Sequence, residues 1–169
     1  ATEPDADKFL AKFLPALAAH LREKGWLDKY MQHIADEPIP QNVDSYNAAL
    51  KLVRKYAPEF RIIEAIHAPQ VASSIDVAVP MLNILHANYK DFIKQPVDGH
   101  ELWTYTCCEP KGEYANRFIE LPLIKTRLLH WINYRYNLPG YLHWGYNQYD
   151  TLDPFKQTTY PPPKNDYWP

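Results

Sequence analysis

A chain of 169 residues is long enough for one ordinary domain with a sizeable core. Its 18 Lys+Arg against 20 Asp+Glu leave a net charge of -2, with no basic run for nucleic acid or an anionic membrane. No apolar stretch approaches the ~18 residues of a transmembrane helix, so neither nucleic-acid binding nor membrane insertion is expected.

The first predicted element is a helix from Thr2 to Lys24. Thr2 serves as cap, Pro4 suits the first turn, and Phe9, Leu10, Phe13, Leu14, Leu17 and Leu21 follow helical spacing. Pro15 is expected to bend it and Gly25 to end it. A strand over Tyr30–Ala35 follows, closed by Asp36-Glu37-Pro38. The next helix spans Asn42–Tyr56, with Asn42 as cap, an apolar stripe of Tyr46, Ala49, Leu50 and Val53, and Pro58 beyond its end. Phe60–Ile66 and Ile75–Val79 read as strands rich in β-branched residues, joined by a connection at Pro69–Ser74. Leu85–Lys94 is predicted helical and Pro96–Gly99 a turn.

Glu101–Cys107 is a further strand, followed by a loop over Glu109–Glu120 and a helix from about Leu121 to Tyr136. Pro139-Gly140 breaks that helix, and Tyr141–Trp144 is the last strand. Residues 146–169, rich in Tyr and Pro, read as an irregular wrapping segment of the same domain. Strands alternating with helices or crossover-length loops imply a parallel α/β sheet. Five such units fit an open doubly wound sheet or part of a (β/α)8 TIM barrel. No glycine-rich loop follows a strand, which counts against the nucleotide-binding doubly wound fold. Polar and aromatic residues gather at the strands' C-terminal ends, namely Asp36-Glu37, Glu64, His67, Asn83, Tyr105 to Glu109 and His143-Trp144. Barrel active sites are built at that end, so a partial barrel is the expectation.

Asp36-Glu37-Pro38 is the densest chemical signal. Neighbouring side chains on a strand point to opposite faces, so only at a strand's end can two adjacent carboxylates serve one cleft. Pro38 biases Glu37 toward an extended backbone. An acidic turn after a strand is the plainer alternative. The aromatic content of 14%, with 13 Tyr and 5 Trp, suits stacking on sugar faces as well as core filling. Cys107 and Cys108 are adjacent, which excludes a disulfide framework and a Cys-x-x-Cys motif and leaves two thiols near a strand end. The seven His show no metal-ligand spacing, so no metal and no cofactor is expected.

Six motifs then stand out in order: His33-Ile-Ala-Asp-Glu-Pro38, Leu102-Trp-Thr-Tyr-Thr-Cys-Cys108, Asn116-Arg-Phe118, Lys125-Thr-Arg-Leu-Leu129, Tyr134-Arg-Tyr136 and Gly140-Tyr-Leu-His-Trp-Gly-Tyr-Asn147. Together they resemble the catalytic domain of glycoside hydrolase family 123. The resemblance covers most of the chain. It implies a β-N-acetylgalactosaminidase using a retaining, substrate-assisted mechanism, with Asp36 and Glu37 matching the family's catalytic pair. The strands would be the fourth to eighth of the barrel, and the chain the portion from the third helix to the eighth strand. Family members also carry an N-terminal β-sandwich, three earlier barrel strands and sequence beyond the position of Pro169. The resemblance therefore implies a fragment, inactive alone, that associates with itself or with the missing barrel portion. Its substrates would suit a secreted or periplasmic setting.

In that chemistry the 2-acetamido carbonyl of the sugar is the nucleophile. Glu37 is expected as acid/base and Asp36 as the carboxylate that orients and stabilises the acetamido group. Mutual repulsion between the two would help keep Glu37 protonated. Tyr105 and Trp144 are expected as pocket walls, and Asn116 and Arg117 as donors to sugar hydroxyls. A loop ion pair for Arg117 and a turn cap for Asn116 are equally open. Glu64 faces either the pocket or an ion pair. His143 is expected as a hydrogen-bonded core residue, and Tyr134, Arg135 and Tyr136 as structural. Two rivals stand beside this reading: a conventional retaining glycosidase with Glu37 as acid/base and Glu109 as nucleophile, and a non-catalytic carbohydrate-binding or structural barrel module.

Overall fold

The computed structural model describes residues 4–94, 99–145, 153, 155 and 156. The Thr2 cap, most of the turn at Pro96–Gly99 and nearly all of the segment 146–169 lie outside them. Helix α1, Pro4–Glu23, runs unbroken through Pro15 and buries Leu14, Ala18 and Leu21. Phe9 and Phe13, expected on that stripe, stack on each other at 5.3 Å and stay 60% and 46% exposed. Gly25, at φ 67°, ends the helix. Its amide reaches Arg22 O at 3.1 Å and the Trp26 amide reaches Leu21 O at 2.8 Å, a left-handed cap that glycine adopts without strain.

Strand β1 is only Met31–Gln32, shorter than the expected Tyr30–Ala35. The reason lies in a side chain. The amides of Ile34 and Ala35 donate to Glu64 Oε2 at 3.0 and 3.2 Å, so they cannot join a ladder. Helix α2, Val43–Tyr56, buries Tyr46, Leu50 and Val53 as its spacing requires. Asn42 does not cap it; its Oδ1 accepts the Ile39 amide at 2.8 Å instead. Strands β2, Arg61–Ile66, and β3, Val77–Pro80, follow the expected runs, and every residue of β3 is buried. A strand covered on both faces reads as a continuous apolar run. Alternation divides the two faces. Ile62, Ile66 and Ala78 pack with α1 and α2, while Ala65, Val77 and Val79 pack with Met81 and Tyr105.

The helix expected at Leu85–Lys94 is two short ones, α3 (Leu82–Ala87) and α4 (Tyr89–Phe92). Asn88 separates them, turning its Nδ2 back to Ile84 O at 3.0 Å, the local competition that makes asparagine a helix breaker. The strand expected at Glu101–Cys107 is also split, into β4 (Glu101–Leu102) and β5 (Thr104–Tyr105). β4 pairs with β3, and β5 pairs with β6, Tyr141–Leu142. Between them, the Trp103 amide still donates to Ala78 O at 2.8 Å. The Trp103 ring lies against Gly140, where an added Cβ would meet ring atoms at 2.0–2.5 Å. Only glycine fits there. Helix α5, Leu123–Arg135, crosses between β5 and β6.

Among the described residues every strand pairing is parallel and joins consecutive strands, in the orders β1-β2-β3-β4 and β5-β6. This is a mixed α/β fold on a parallel sheet. No helix among the described residues is long and apolar enough to cross a membrane.

Candidate active site

The site begins where β1 stops. Glu64, wholly buried, holds the chain just before the acidic pair. Its Oε2 takes the two backbone amides and also the Tyr46 hydroxyl at 3.1 Å, while Oε1 meets His33 Nδ1. A carboxylate taken out of water is tolerable only when it is hydrogen-bonded, as Oε2 is here, and paired with a cation, as Oε1 is with His33. The hydrogen bond to Glu64 raises the His33 pKa above its ordinary value; burial opposes it, and the charges of Glu64 and Asp36 add to the rise. Glu64 points to the helix side of β2, opposite Ile63 and Ala65, and is absent from the cavity wall. It is a support beneath the acidic pair.

Glu37 stands at φ 44°, not in the extended conformation expected from Pro38. A left-handed backbone is strained for a residue with a side chain, by of order 1–3 kcal/mol, and persists where surrounding contacts impose it. Those contacts are present. The Tyr105 hydroxyl donates to Glu37 Oε1, His67 Nε2 lies 3.7 Å from the same oxygen, and the His67 amide donates to Pro38 O at 3.2 Å. His67 Nε2 and the Tyr105 hydroxyl are 3.1 Å apart. Burial, and then the hydrogen bond and charge of Glu37, push the Tyr105 phenol far above its ordinary value. It remains a proton donor throughout the physiological range.

Asp36, Glu37, Tyr105, Asn116, Arg117 and Trp144 border one cavity of about 920 Å³ at the C-terminal ends of the strands. Asn116 contributes structure there. Its Nδ2 donates to Cys107 O at 3.2 Å and Pro110 O at 3.0 Å, and its Oδ1 accepts the Arg117 amide at 2.7 Å. Both N–H groups are thus spent on the loop. Arg117 pairs with no loop acid among the described residues. Its guanidinium donates to His143 Nδ1 and lies over the Tyr141 ring at 5.0 Å. His143 is exposed on the cavity rim rather than in the core. Partial burial and then the Arg117 charge push its pKa down, so it accepts as a neutral imidazole. Trp144 sits exposed beside it, the rings 5.9 Å apart.

Glu109 is exposed, binds the Lys111 amide at 3.1 Å and does not border the cavity. Tyr134 is exposed on α5, and Tyr136 packs edge-on against Tyr89 at 5.3 Å beside a second cavity of about 790 Å³ on the helix side. That cavity joins apolar Leu82, Leu85, Leu128 and Ile132 to polar and charged residues such as His86, Asp91 and Glu113, and holds no adjacent carboxylate pair. His33, Thr106, Cys107, Cys108 and Phe118 border the first cavity without having been singled out as site residues. His33 carried a signal, since it opens the motif that ends in Asp36-Glu37-Pro38. Among the described residues no group of three or more His, Cys, Asp or Glu is placed to hold a metal ion.

Residues 1–167 match the family model of the glycoside hydrolase 123 catalytic domain. No curated protein matches the chain. Among solved structures, the chain is similar to a family 123 glycoside hydrolase from Clostridium perfringens, studied for the details of glycolipid glycan hydrolysis, with a TM-score of 0.62 at 19% identity. That match covers 86% of this chain and 26% of the Clostridium chain.

Proposed function

This chain belongs to the glycoside hydrolase 123 catalytic-domain family, and on that premise we propose that it carries the catalytic centre of a retaining, substrate-assisted glycosidase removing terminal β-linked N-acetylgalactosamine. The observation that carries this reading is the placement of Asp36 and Glu37 on one cavity, with Glu37 held by Tyr105. The acetamido carbonyl oxygen attacks the anomeric carbon while Glu37 gives its proton to the leaving oxygen. Asp36 accepts the acetamido N–H and offsets the positive charge of the oxazolinium ion. Glu37 then takes a proton from water, which opens that ion and restores the original anomeric configuration.

Tyr105 orients Glu37 and forms one wall, while exposed Trp144 offers a face on which a sugar ring stacks. Arg117 reaches the cavity from the loop; Asn116 and Glu64 hold the frame. The position of Glu109 away from the cavity favours this reading over the conventional nucleophile. Parallel pairing in chain order within each sheet, β1-β2-β3-β4 and β5-β6 among the described residues, supports reading the strands as the fourth to eighth of a (β/α)8 barrel. The Clostridium relative's hydrolysis of glycolipid glycans supports a glycan as the substrate.

Paired aryl glycosides test the reading. The intact protein should hydrolyse the 2-acetamido-2-deoxy-β-galactoside and leave the 2-hydroxy analogue essentially untouched. Equal turnover of both would remove substrate assistance, and binding without turnover of either would favour a non-catalytic module.

A further inference from the structure

Cys107 and Cys108 border the glycan cavity as free thiols, with their sulphurs 3.8 Å apart. The proposed hydrolysis has no use for either. We propose that they form a redox-active dithiol on the cavity wall, a modification site that closes to a disulfide by exchange with a low-molecular-weight disulfide and, when reduced, takes a trivalent arsenical.

The two thiols are unequal. Cys108 is exposed and Cys107 half-buried. Burial raises the Cys107 pKa, with smaller contributions from Cys108 and the Glu37 charge. Access therefore makes Cys108 the attacking group and leaves Cys107 behind it to resolve the adduct, an accessible thiol beside a resolving one. Cys108, as thiolate, displaces one thiolate from the reagent disulfide, which picks up the proton Cys108 released. Cys107 then attacks the Cys108 sulphur of the mixed disulfide and frees the second reagent thiol with the Cys107 proton. Two protein thiols are oxidised and one reagent disulfide is reduced to two thiols.

Neighbouring residues hold their Cα atoms about 3.8 Å apart, below the usual disulfide span of roughly 4.4–6.8 Å. A bond closed there is strained and easily reduced, which suits a reversible device better than a permanent staple. Closure also acts on the proposed catalytic group. The Cys107 amide donates to Glu109 O at 2.8 Å, its carbonyl accepts Asn116 Nδ2 at 3.2 Å, and Tyr105 stands two residues upstream with its hydroxyl on Glu37. Turning the Cys107–Cys108 peptide to bring the sulphurs together pulls on all three.

The effect on turnover rests on the glycosidase reading; the dithiol chemistry does not. Treating the intact protein with glutathione disulfide should lower its mass by two hydrogens, and peptide mapping should place the new bond between Cys107 and Cys108. A lasting glutathione adduct on Cys108, or unchanged thiols, would overturn the proposal. Reduced protein should hold one equivalent of phenylarsine oxide, and Cys107→Ser and Cys108→Ser should each lose it. Retention by either variant would likewise overturn it. Closure should cut glycan hydrolysis at least tenfold, with recovery in dithiothreitol; unchanged turnover would overturn the link to Glu37. If the bond closes but neither redox form hydrolyses any glycan, the glycosidase reading fails and the dithiol stands.

Discussion

At the N-terminal ends of the strands, Asp76 accepts Arg54 at 2.7 Å and the Ile62 amide at 2.6 Å, and Glu101 accepts Arg61 at 2.7 Å. At the C-terminal ends, Asp36 and Glu37 face a cavity and have no Arg or Lys partner among the described residues. One end spends its carboxylates on holding strands in register. The other leaves two available and strains the backbone of one to aim it. Glu64 stands between these extremes, a carboxylate bound as fully as any at the lower end but serving the upper one. Carboxylate count does not distinguish the two ends. Partner count does.

Glu37→Gln should give the largest effect. General acid/base assistance is worth typically ~10²–10⁴-fold, so turnover of unactivated glycosides should fall by that much, and that of activated aryl glycosides by less. The urea midpoint should move little, because the amide oxygen of Gln still accepts from the Tyr105 hydroxyl. Near-normal rates on unactivated glycosides would erase the contrast between the ends. Glu64→Ala comes next. Its loss leaves the Ile34 and Ala35 amides and the Tyr46 hydroxyl without their acceptor, at about 1–3 kcal/mol for each donor left buried, and the loss should appear both in urea unfolding and in lower turnover by the protein that remains folded. A change in stability with kcat untouched would place Glu64 with the lower end.

Asp76→Ala should cost less, about 2–3 kcal/mol, on the scale of hydrogen bonds to a charged group. It should leave the turnover of folded protein intact; a large fall in kcat would refute the division of labour. The smallest effects are those of pH. Glu101 is held below the usual carboxylate range by the Trp103 indole and then by Arg61, against partial burial. Its contribution is therefore full above the ordinary carboxylate value and is lost as pH falls through the lowered folded one. His33, raised by Glu64, behaves oppositely: full below the ordinary imidazole value and lost as pH rises through the raised one. Both groups are partly exposed, so each is worth less than about 1 kcal/mol. Glu101→Gln should flatten only the acid limb of the unfolding midpoint against pH, and His33→Gln only the limb above neutrality.

The strands of the sheet were largely legible, because β-branched runs and strand alternation are local properties. Phe60–Ile66 and Ile75–Val79 nearly coincide with β2 and β3. What escaped was settled at a distance. β1 is cut short by a carboxylate thirty positions away, and no local pattern in Tyr30–Ala35 announces that. Helical spacing in α1 marked both Phe9 and Leu14 without saying which face the rest of the molecule covers. In the site, adjacency and Pro38 located Asp36-Glu37, yet the backbone of Glu37 follows Tyr105 and His67 and not the proline's bias. Glu64 was readable in principle. It alternates with Ile62 and Ile66, which puts it on the helix side, where a carboxylate has to be fully bonded. Asn116 was less so, since an amide's donors are assigned only when the loop's carbonyls are in place.

The parallel order has a consequence for how the protein is made. Within each sheet every described strand pairs with its neighbour in the chain, β1 to β4 in one and β5 with β6 in the other, so on a ribosome a strand finds its partner in the strand made just before it. The buried carboxylate under the site fares best. When Glu64 emerges, its donors His33, Ile34, Ala35 and Tyr46 have already been synthesised, and a nascent chain that folds vectorially can satisfy it at once. Glu37 has to wait until translation reaches Tyr105. The floor of the cavity is thus set before its wall, and the left-handed kink at Glu37 is fixed only after both exist.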